Sequence, residues 1–406
     1  MKVLFANVAI TSYTHPLLEK LMAFGCDLVM LIPGNNDKVV GKGVKLSDKE
    51  KHSYRIRYSR SKRMYYGKPA LTDLKTIIIQ ENPDIVVIVW PYFLHLFFDK
   101  SILKLMQKNK IRMIINEIPF QTPPFRQLSY FKLNPVFNEN MELQSNRILF
   151  KLRALFIMYI RRFLYSQADA SLNYASHAFH ILPSYGISPD DIIVSYNTSD
   201  TDSLLSERKR IMDLPPFLPA CPRILHIGRL VKWKRVDLLI EAFCKIAGKY
   251  PSSELVIIGD GPEKDVLIHQ SQKNGLTERI IFTGAIHDSH ILGRYMHESS
   301  VYVLAGMGGL SINDAMCFSL PVICSVCDGT EKDLITDGVN GYFFKSDDAD
   351  SLADKIDKIL SNKERSKRMG AESYQVIKEK INLDTVAQRY MDAFNYVLNK
   401  KYIWEN

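Results

Sequence analysis

Cysteine is scarce and scattered, with six in 406 residues at positions 26, 221, 244, 317, 324 and 327. A small disulfide-stapled scaffold is therefore excluded. Cys324 and Cys327 form one C-x-x-C, and the neighbouring sequence lacks the two further ligands that a zinc site of matching spacing would need. The pair closes the apolar run 320–326 instead of opening a helix. It reads as two reduced thiols at the end of a buried strand, and the chain reads as cytoplasmic. No cleavage-type segment follows the first residues, so no secretory signal is expected. Long uncharged apolar runs are missing too. The longest candidate, LFKLRALFIMYIRRFL at 149–164, is broken by Lys151, Arg153, Arg161 and Arg162. A spanning helix needs about 20 nearly uncharged residues. The segment reads instead as an amphipathic helix with a broad apolar face and a cationic one, either packed on a core or laid on an anionic membrane. Glycine (20 residues) and proline (18) are too few for a collagen-like chain, and 46% hydrophobic residues exclude a disordered one.

Acidic residues run short in one half only. Residues 1–200 hold 26 Lys+Arg against 16 Asp+Glu, a balance of +10, while residues 201–406 hold 27 against 28, a balance of −1. Together they give the formal net charge of +9. An excess of this sign implies an anionic partner: nucleic acid, an acidic membrane surface or a phosphorylated substrate. The run 51–68 (KHSYRIRYSRSKRMYYGK) has seven Lys/Arg and no acid, with Tyr54, Tyr58, Tyr65 and Tyr66 interleaved. It suits a solvated loop, a lipid or sugar contact, or a nucleic acid, and membrane or acceptor contact is favoured over nucleic acid.

Strands and helices alternate along both halves. Strands are expected at 2–10, 27–33, 84–90, 111–116, 169–173 and 191–195, with helices at 16–25, 70–82, 99–109 and near 143–166. Four prolines in 212–222 (MDLPPFLPACP) suit neither a helix nor a central strand, and mark a linker. The alternation then restarts from 223, and the tail after 350 reads as helices near 350–361, 364–380 and 384–399. The expected class is α/β: two Rossmann-like, doubly wound parallel-sheet domains facing a cleft. The expected domains are 1–211 and 223–380, joined by 212–222, with a C-terminal helix at 381–406 crossing back to the first. Ligands should bind at the carboxyl ends of the strands.

The segment 226–243, HIGRLVKWKRVDLLIEAF, places Arg229, Lys232, Lys234 and Arg235 between a strand end and a helix start. Such a cluster suits a phosphate or diphosphate. Here the sequence resembles glycosyltransferase family 4, the retaining nucleotide-sugar transferases of the GT-B fold. The pattern G-R-L-x-x-x-K-x-x-x-x-L-I-x-A-F is met by Gly228, Arg229, Leu230, Lys234, Leu239, Ile240, Ala242 and Phe243. The resemblance continues at 256–262 (VIIGDGP), 282–284, 315–322 and 337–344, and in the first half at 196–200 (YNTSD). It implies that Arg229 and Lys234 bind the donor diphosphate and stabilise the departing nucleotide. Gly228, Gly259, Gly308, Gly309, Leu310, Ser311 and Asp314 would complete the donor site. It also implies a glycan or lipid-linked acceptor in surface-polysaccharide synthesis, with the protein peripheral on the inner face of the membrane. The nucleotide-diphosphate sugar is a co-substrate, so no cofactor, no metal and no nucleic acid are expected.

The family's E-x7-E motif departs here, with Gly306 at the first Glu position and Asp314 at the second. The departure admits a non-catalytic nucleotide-sugar-binding relative. Gly306, Gly308 and Asp328 also form a weak dinucleotide-type spacing. Asp200-Thr201-Asp202 reads as a helix cap and not as a metal string. On the acceptor side, Glu117 and Asn116 end a strand, and His15 follows the first one. Glu117 stands where the family carries a His, and a carboxylate there suits orientation or deprotonation of an acceptor hydroxyl.

Overall fold

The structure, a computed structural model, describes residues 1–34, 52–117, 122–138, 141–326 and 329–401. The chain divides into two compact units. One is formed by Met1–Phe137, Leu143–Tyr196 and Leu383–Asn406, the other by Asn138–Glu142 and Asn197–Asn382.

The first unit carries strands β1 (Lys2–Ala6), β2 (Asp27–Pro33), β3 (Arg55–Ser59), β4 (Ser61–Arg63), β5 (Pro69–Leu71), β6 (Ile85–Val89), β7 (Arg112–Glu117), β8 (Ala170–Asn173) and β9 (Ile192–Val194). Seven of them form a parallel sheet in the order β3-β2-β1-β6-β7-β8-β9. Runs such as IVVIV in β6 are buried because helices cover both faces of the sheet. The helix Leu383–Asn399 packs on Thr14–Ala23, and its Phe394 and Tyr390 meet Phe5 of β1.

Two expectations change in this unit. The basic run is not a loop: it supplies β3 at the sheet edge, and β4 paired antiparallel with β5. Carboxylates take up three of its arginines. Glu81, whose side chain is 3% exposed, pairs with Arg55 (2.9 Å), Arg57 (2.6 Å) and Lys2 (2.9 Å). Asp27 takes Arg55 as well, and Asp73 takes Arg60. Lys51 lies outside the described residues. The second change concerns the helix Ile148–Tyr165. Arg161 is buried in it, whereas Ile148, Leu149, Leu152, Phe156 and Tyr159 face outward. The exposed face is thus apolar, with Arg147, Arg153 and Arg162 along it. Among the described residues, no helix is long and apolar enough to cross a membrane.

The second unit carries β10 (Arg223–Ile227), β11 (Glu254–Ile258), β12 (Ile280–Gly284), β13 (Val301–Leu304), β14 (Val322–Cys324) and β15 (Gly341–Phe343). They form a parallel sheet in the order β12-β11-β10-β13-β14-β15. Strand β15 is an addition to the strands expected from the sequence. A Cβ on Gly341 would stand 2.1 Å from the Val322 carbonyl oxygen, so the strand closes against β14 only with glycine there.

The units change between Tyr196 and Asn197, ahead of the proline-rich stretch. Helix Thr201–Ile211, read from sequence as part of the first domain, packs on Ser289–His297 and Ser311–Cys317 of the second unit. Asp200 caps it by accepting from the Ser203 N–H, as its D-x-D setting suggested. Strand order reverses beside β1 in one sheet and beside β10 in the other. At such switch points diverging loops open a crevice at the carboxyl ends of the strands.

Candidate functional site

In the second unit the switch point lies between β10 and its neighbour β13. Gly228 follows β10, and its N–H donates to the Ile258 carbonyl. Gly259, at φ +150°, approaches so closely that a Cβ would lie 1.8 Å from the Gly228 oxygen. Any side chain at 259 would force these two strand ends apart. Arg229 then leads into a short turn at Lys232–Lys234, with its guanidinium over the Trp233 ring at 5.8 Å. The buried Lys234 turns its ammonium onto the glycine-rich loop after β13. There it donates to the carbonyls of Met307 (2.8 Å) and Gly308 (2.6 Å). A Cβ on Gly309 would lie 3.1 Å from the same nitrogen.

The four cations of 229–235 are not equivalent. Arg235, with φ +51° at the start of helix Val236–Ile246, pairs with Asp237 and Asp347. Lys232 is exposed. Arg229 and Lys234 are the two that border the glycine-rich loop or the strand end.

Gly306 has a steric cause. A Cβ there would stand 2.2 Å from the Trp233 carbonyl oxygen and 2.6 Å from the Lys234 carbonyl carbon. The Met307 N–H donates to that same Trp233 oxygen at 2.7 Å, which ties the loop to the turn. The space where the family pattern carries a glutamate is filled by backbone.

Asp314, on helix Ser311–Cys317, has a buried Oδ1 that makes no hydrogen bond among the described residues. Burial raises its carboxyl to about 6. The neighbouring Ser199 hydroxyl opposes the shift and the Asp200 charge adds to it. The Ser311 hydroxyl receives the Tyr302 hydroxyl at 2.6 Å, so Ser311 is held against β13. His226, which the sequence reading did not single out although it opens the motif, lies buried under Gly228. Its Nδ1 meets the Val303 carbonyl at 3.0 Å, and its Nε2 has no partner among the described residues. Burial, helped by the Lys234 charge and opposed by that hydrogen bond, lowers its pKa to about 4, so the ring is neutral at pH 7.

The structure gathers Gly228, Arg229, Lys234, Gly259, Gly308, Gly309, Leu310, Ser311 and Asp314 along one edge of the second unit. The three acceptor-side candidates lie in the first unit and are not together. Successive residues of β7 face opposite sides of the sheet. Asn116 turns inward, donates to the Leu172 carbonyl at 3.3 Å and reaches Tyr390. Glu117 turns the other way and accepts from Arg161 at 2.9 Å, and the Arg161 guanidinium stacks 4.4 Å over the Trp90 ring. Burial raises the Glu117 carboxyl even though Arg161 pulls it down. His15 sits at the start of helix Thr14–Ala23, where Tyr54, His52 and Glu19 surround its Nδ1. Cys327 and Asp328, of the C-x-x-C and dinucleotide-type patterns, lie outside the described residues.

Residues 219–376 match the family model of glycosyl transferases group 1. The matched stretch contains every candidate donor-side residue named above. Across 293 residues, 69% of this chain and 71% of the relative, the chain is 24% identical to N-acetylgalactosamine-N,N'-diacetylbacillosaminyl-diphospho-undecaprenol 4-alpha-N-acetylgalactosaminyltransferase of Campylobacter jejuni. Across 202 residues, 49% of this chain and 41% of the relative, it is 25% identical to poly(ribitol-phosphate) alpha-N-acetylglucosaminyltransferase of Staphylococcus aureus. The chain spans less than half the length of several curated relatives that it matches. A solved structure of HepE from Anabaena in complex with UDP covers 97% of this chain and 100% of its own, with a TM-score of 0.67 at 15% identity. This likeness bears on the fold alone. The expected GT-B class, with two Rossmann-like parallel-sheet domains, is the class observed.

Proposed function

We propose that the chain is a retaining glycosyltransferase that moves a sugar from a nucleotide-diphosphate sugar to a glycan or lipid-linked acceptor in polysaccharide assembly. The observation that carries this reading is the pair Arg229 and Lys234 at the switch point of the second sheet, beside a glycine-rich loop. The family match over 219–376, and relatives named for polyprenol-linked and polyol-phosphate acceptors, support it.

In the proposed reaction the bond from the sugar C1 to the diphosphate oxygen breaks, and its electron pair leaves on that oxygen. Arg229 and Lys234 hold the diphosphate as charge grows on it. Fixed cations aimed at developing charge lower the barrier because they bind the transition state more tightly than the ground state. They supply the charge that a metal would otherwise bring, so the proposed donor step needs no metal or cofactor. Asp314 accepts from the ribose hydroxyls. The acceptor hydroxyl attacks C1 from the face that the diphosphate leaves, and its proton passes to the departing phosphate oxygen. His15, Asn116 and Glu117 take no proton in this step: His15 Nδ1 meets Tyr54, Asn116 donates to Leu172, and Glu117 is buried with one oxygen paired to Arg161.

A thermal-shift screen over nucleoside diphosphates and their sugars tests the donor side, and a rise with one base alone fixes the donor class. Release of that nucleotide with an acceptor tests transfer. The backbone-filled space at Gly306 favours one second reading, a non-catalytic nucleotide-sugar-binding relative. That reading requires binding with no nucleotide release.

The reading extends to a peripheral site on the cytoplasmic face of an anionic membrane. Ile148, Leu149, Leu152 and Phe156 are 75%, 70%, 59% and 53% exposed, with Arg147, Arg153 and Arg162 beside them. An apolar stripe flanked by cations suits the interface of an acidic bilayer. Leu149→Glu with Phe156→Glu should abolish sedimentation with anionic vesicles. Sedimentation equal to wild type would discard this surface.

A further inference from the structure

We propose that His15, Glu19 and His52 form a binding site for one divalent transition-metal ion, zinc by its donor set, in the first unit. His15 and Glu19 are four residues apart on helix Thr14–Ala23 and so share one face. His52 comes from the segment that leads into β3 and meets that face. The His15 and His52 Nδ1 atoms are 3.2 Å apart, and Glu19 Oε1 is 3.7 Å from His15 Nδ1. All three ligand atoms lie within 4.8 Å of one another. Zinc bonds of about 2.0–2.1 Å in a tetrahedron place ligand atoms roughly 3.3 Å apart, so small side-chain adjustments close the shell.

Hydrogen bonding alone accounts poorly for this arrangement. A ring nitrogen offers one in-plane direction, as one donor or one acceptor. Yet the Tyr54 hydroxyl (2.9 Å), His52 Nδ1 and Glu19 Oε1 all converge on His15 Nδ1. A cation among them would meet the two nitrogens and the carboxylate at once. An outer layer is also in place. Ser53 donates to Glu19 through its N–H (3.0 Å) and its hydroxyl (2.5 Å), which fixes the carboxylate. Metal ligands need such partners to hold their orientation. His15 and Glu19 side chains are 26% and 34% exposed, so an ion reaches them from solvent. Two imidazoles and one carboxylate suit zinc, and three protein ligands leave a coordination position open for water or a ligand oxygen.

The full chain, stripped with a chelator and dialysed, is titrated with Co²⁺ and followed by visible absorption, with Zn²⁺ then added as competitor. One equivalent of Co²⁺ with a tetrahedral ligand-field band, bleached by one equivalent of Zn²⁺, is expected. Ser53→Ala should weaken binding about 10–100-fold, and His52→Ala or Glu19→Gln by more than that. Glu19→Gln keeps the side-chain shape, and circular dichroism checks that each variant is folded. Affinity unchanged in folded Glu19→Gln and His52→Ala, no stoichiometric binding by the wild type, or a band of thiolate-to-cobalt type that survives both substitutions would each overturn the site.

Discussion

Residues 52–68 of the first unit hold Arg55, Arg57, Arg60, Lys62, Arg63 and Lys68, and residues 229–235 of the second hold Arg229, Lys232, Lys234 and Arg235. By linear charge the two stretches look alike. In the first, Glu81, Asp27 and Asp73 neutralise three arginines, and the charge serves to hold an edge strand onto its sheet. In the second, Arg235 is taken by Asp237 and Asp347, while Lys234 is buried against carbonyl oxygens. A carbonyl carries no net charge, so these two hydrogen bonds hold the Lys234 ammonium at the loop without neutralising it. The same linear charge thus meets carboxylates in one stretch and, at Lys234, the carbonyls of a glycine-rich loop in the other.

The contrast is broken most directly by removing the second set. Arg229→Ala and Lys234→Ala should each lower kcat about 10²–10³-fold, the usual cost of losing one group that stabilises transition-state charge. Arg55→Ala and Arg57→Ala should leave transfer at the wild-type rate. Turnover assays on folded protein decide this, and equal losses in both sets would erase the distinction.

Removing the first set should instead cost stability. Glu81→Gln leaves Lys2, Arg55 and Arg57 without their buried partner, and the expected loss is about 1–3 kcal/mol in urea melts. That is less than a fully buried pair would cost, because the arginines are half exposed. A loss below about 0.5 kcal/mol would show that the cluster is replaceable by water.

Acidity separates the units further. Burial alone would raise the Glu81 carboxyl, but hydrogen bonds from Lys2 and Arg57 and the charges of Lys2 and Arg55 hold it below its ordinary value. Its stabilisation is present above the unfolded pKa near 4.5 and is lost as pH falls through the folded one. Asp314 has the opposite sign. With a folded pKa of about 6 against 3.8 unfolded, it stabilises the fold below about 4, and that contribution is lost as pH rises through about 6. Asp314→Asn should therefore remove a fall of about 1–2 kcal/mol between those pH values. Segment-resolved hydrogen exchange should place the acid-labile opening in the first unit and the neutral-side weakening in the second. At the small end, Arg60→Ala, on an arginine that is 85% exposed, should leave the melting temperature unchanged within error.

The alternating apolar runs made both parallel sheets legible, because strands buried on two faces must be apolar throughout. Strand β3 was not legible, since an edge strand has one neighbour and tolerates RIRYS. Helix Thr201–Ile211 was assigned to the wrong side of the boundary because proline marks a break in structure, not a change of packing partner. The cations after β10 and the glycine-rich loop after β13 were legible by spacing. Two things were not: that Arg235 is spoken for by Asp347, and that His226 is a neutral ring under the site. The meeting of His15 and Glu19 with His52 was half visible. The i,i+4 pair stands in the sequence, while the third ligand depends on where β3 docks.

The crowding at Gly306 bears on how this chain can change over generations. A codon change that puts glutamate at 306 would meet the Trp233 and Lys234 backbone before it met any sugar. A carboxylate at 306 therefore needs the turn to move first, and that turn carries Lys234. The two features are sterically coupled, so a designed Gly306→Glu has to rebuild the turn as well.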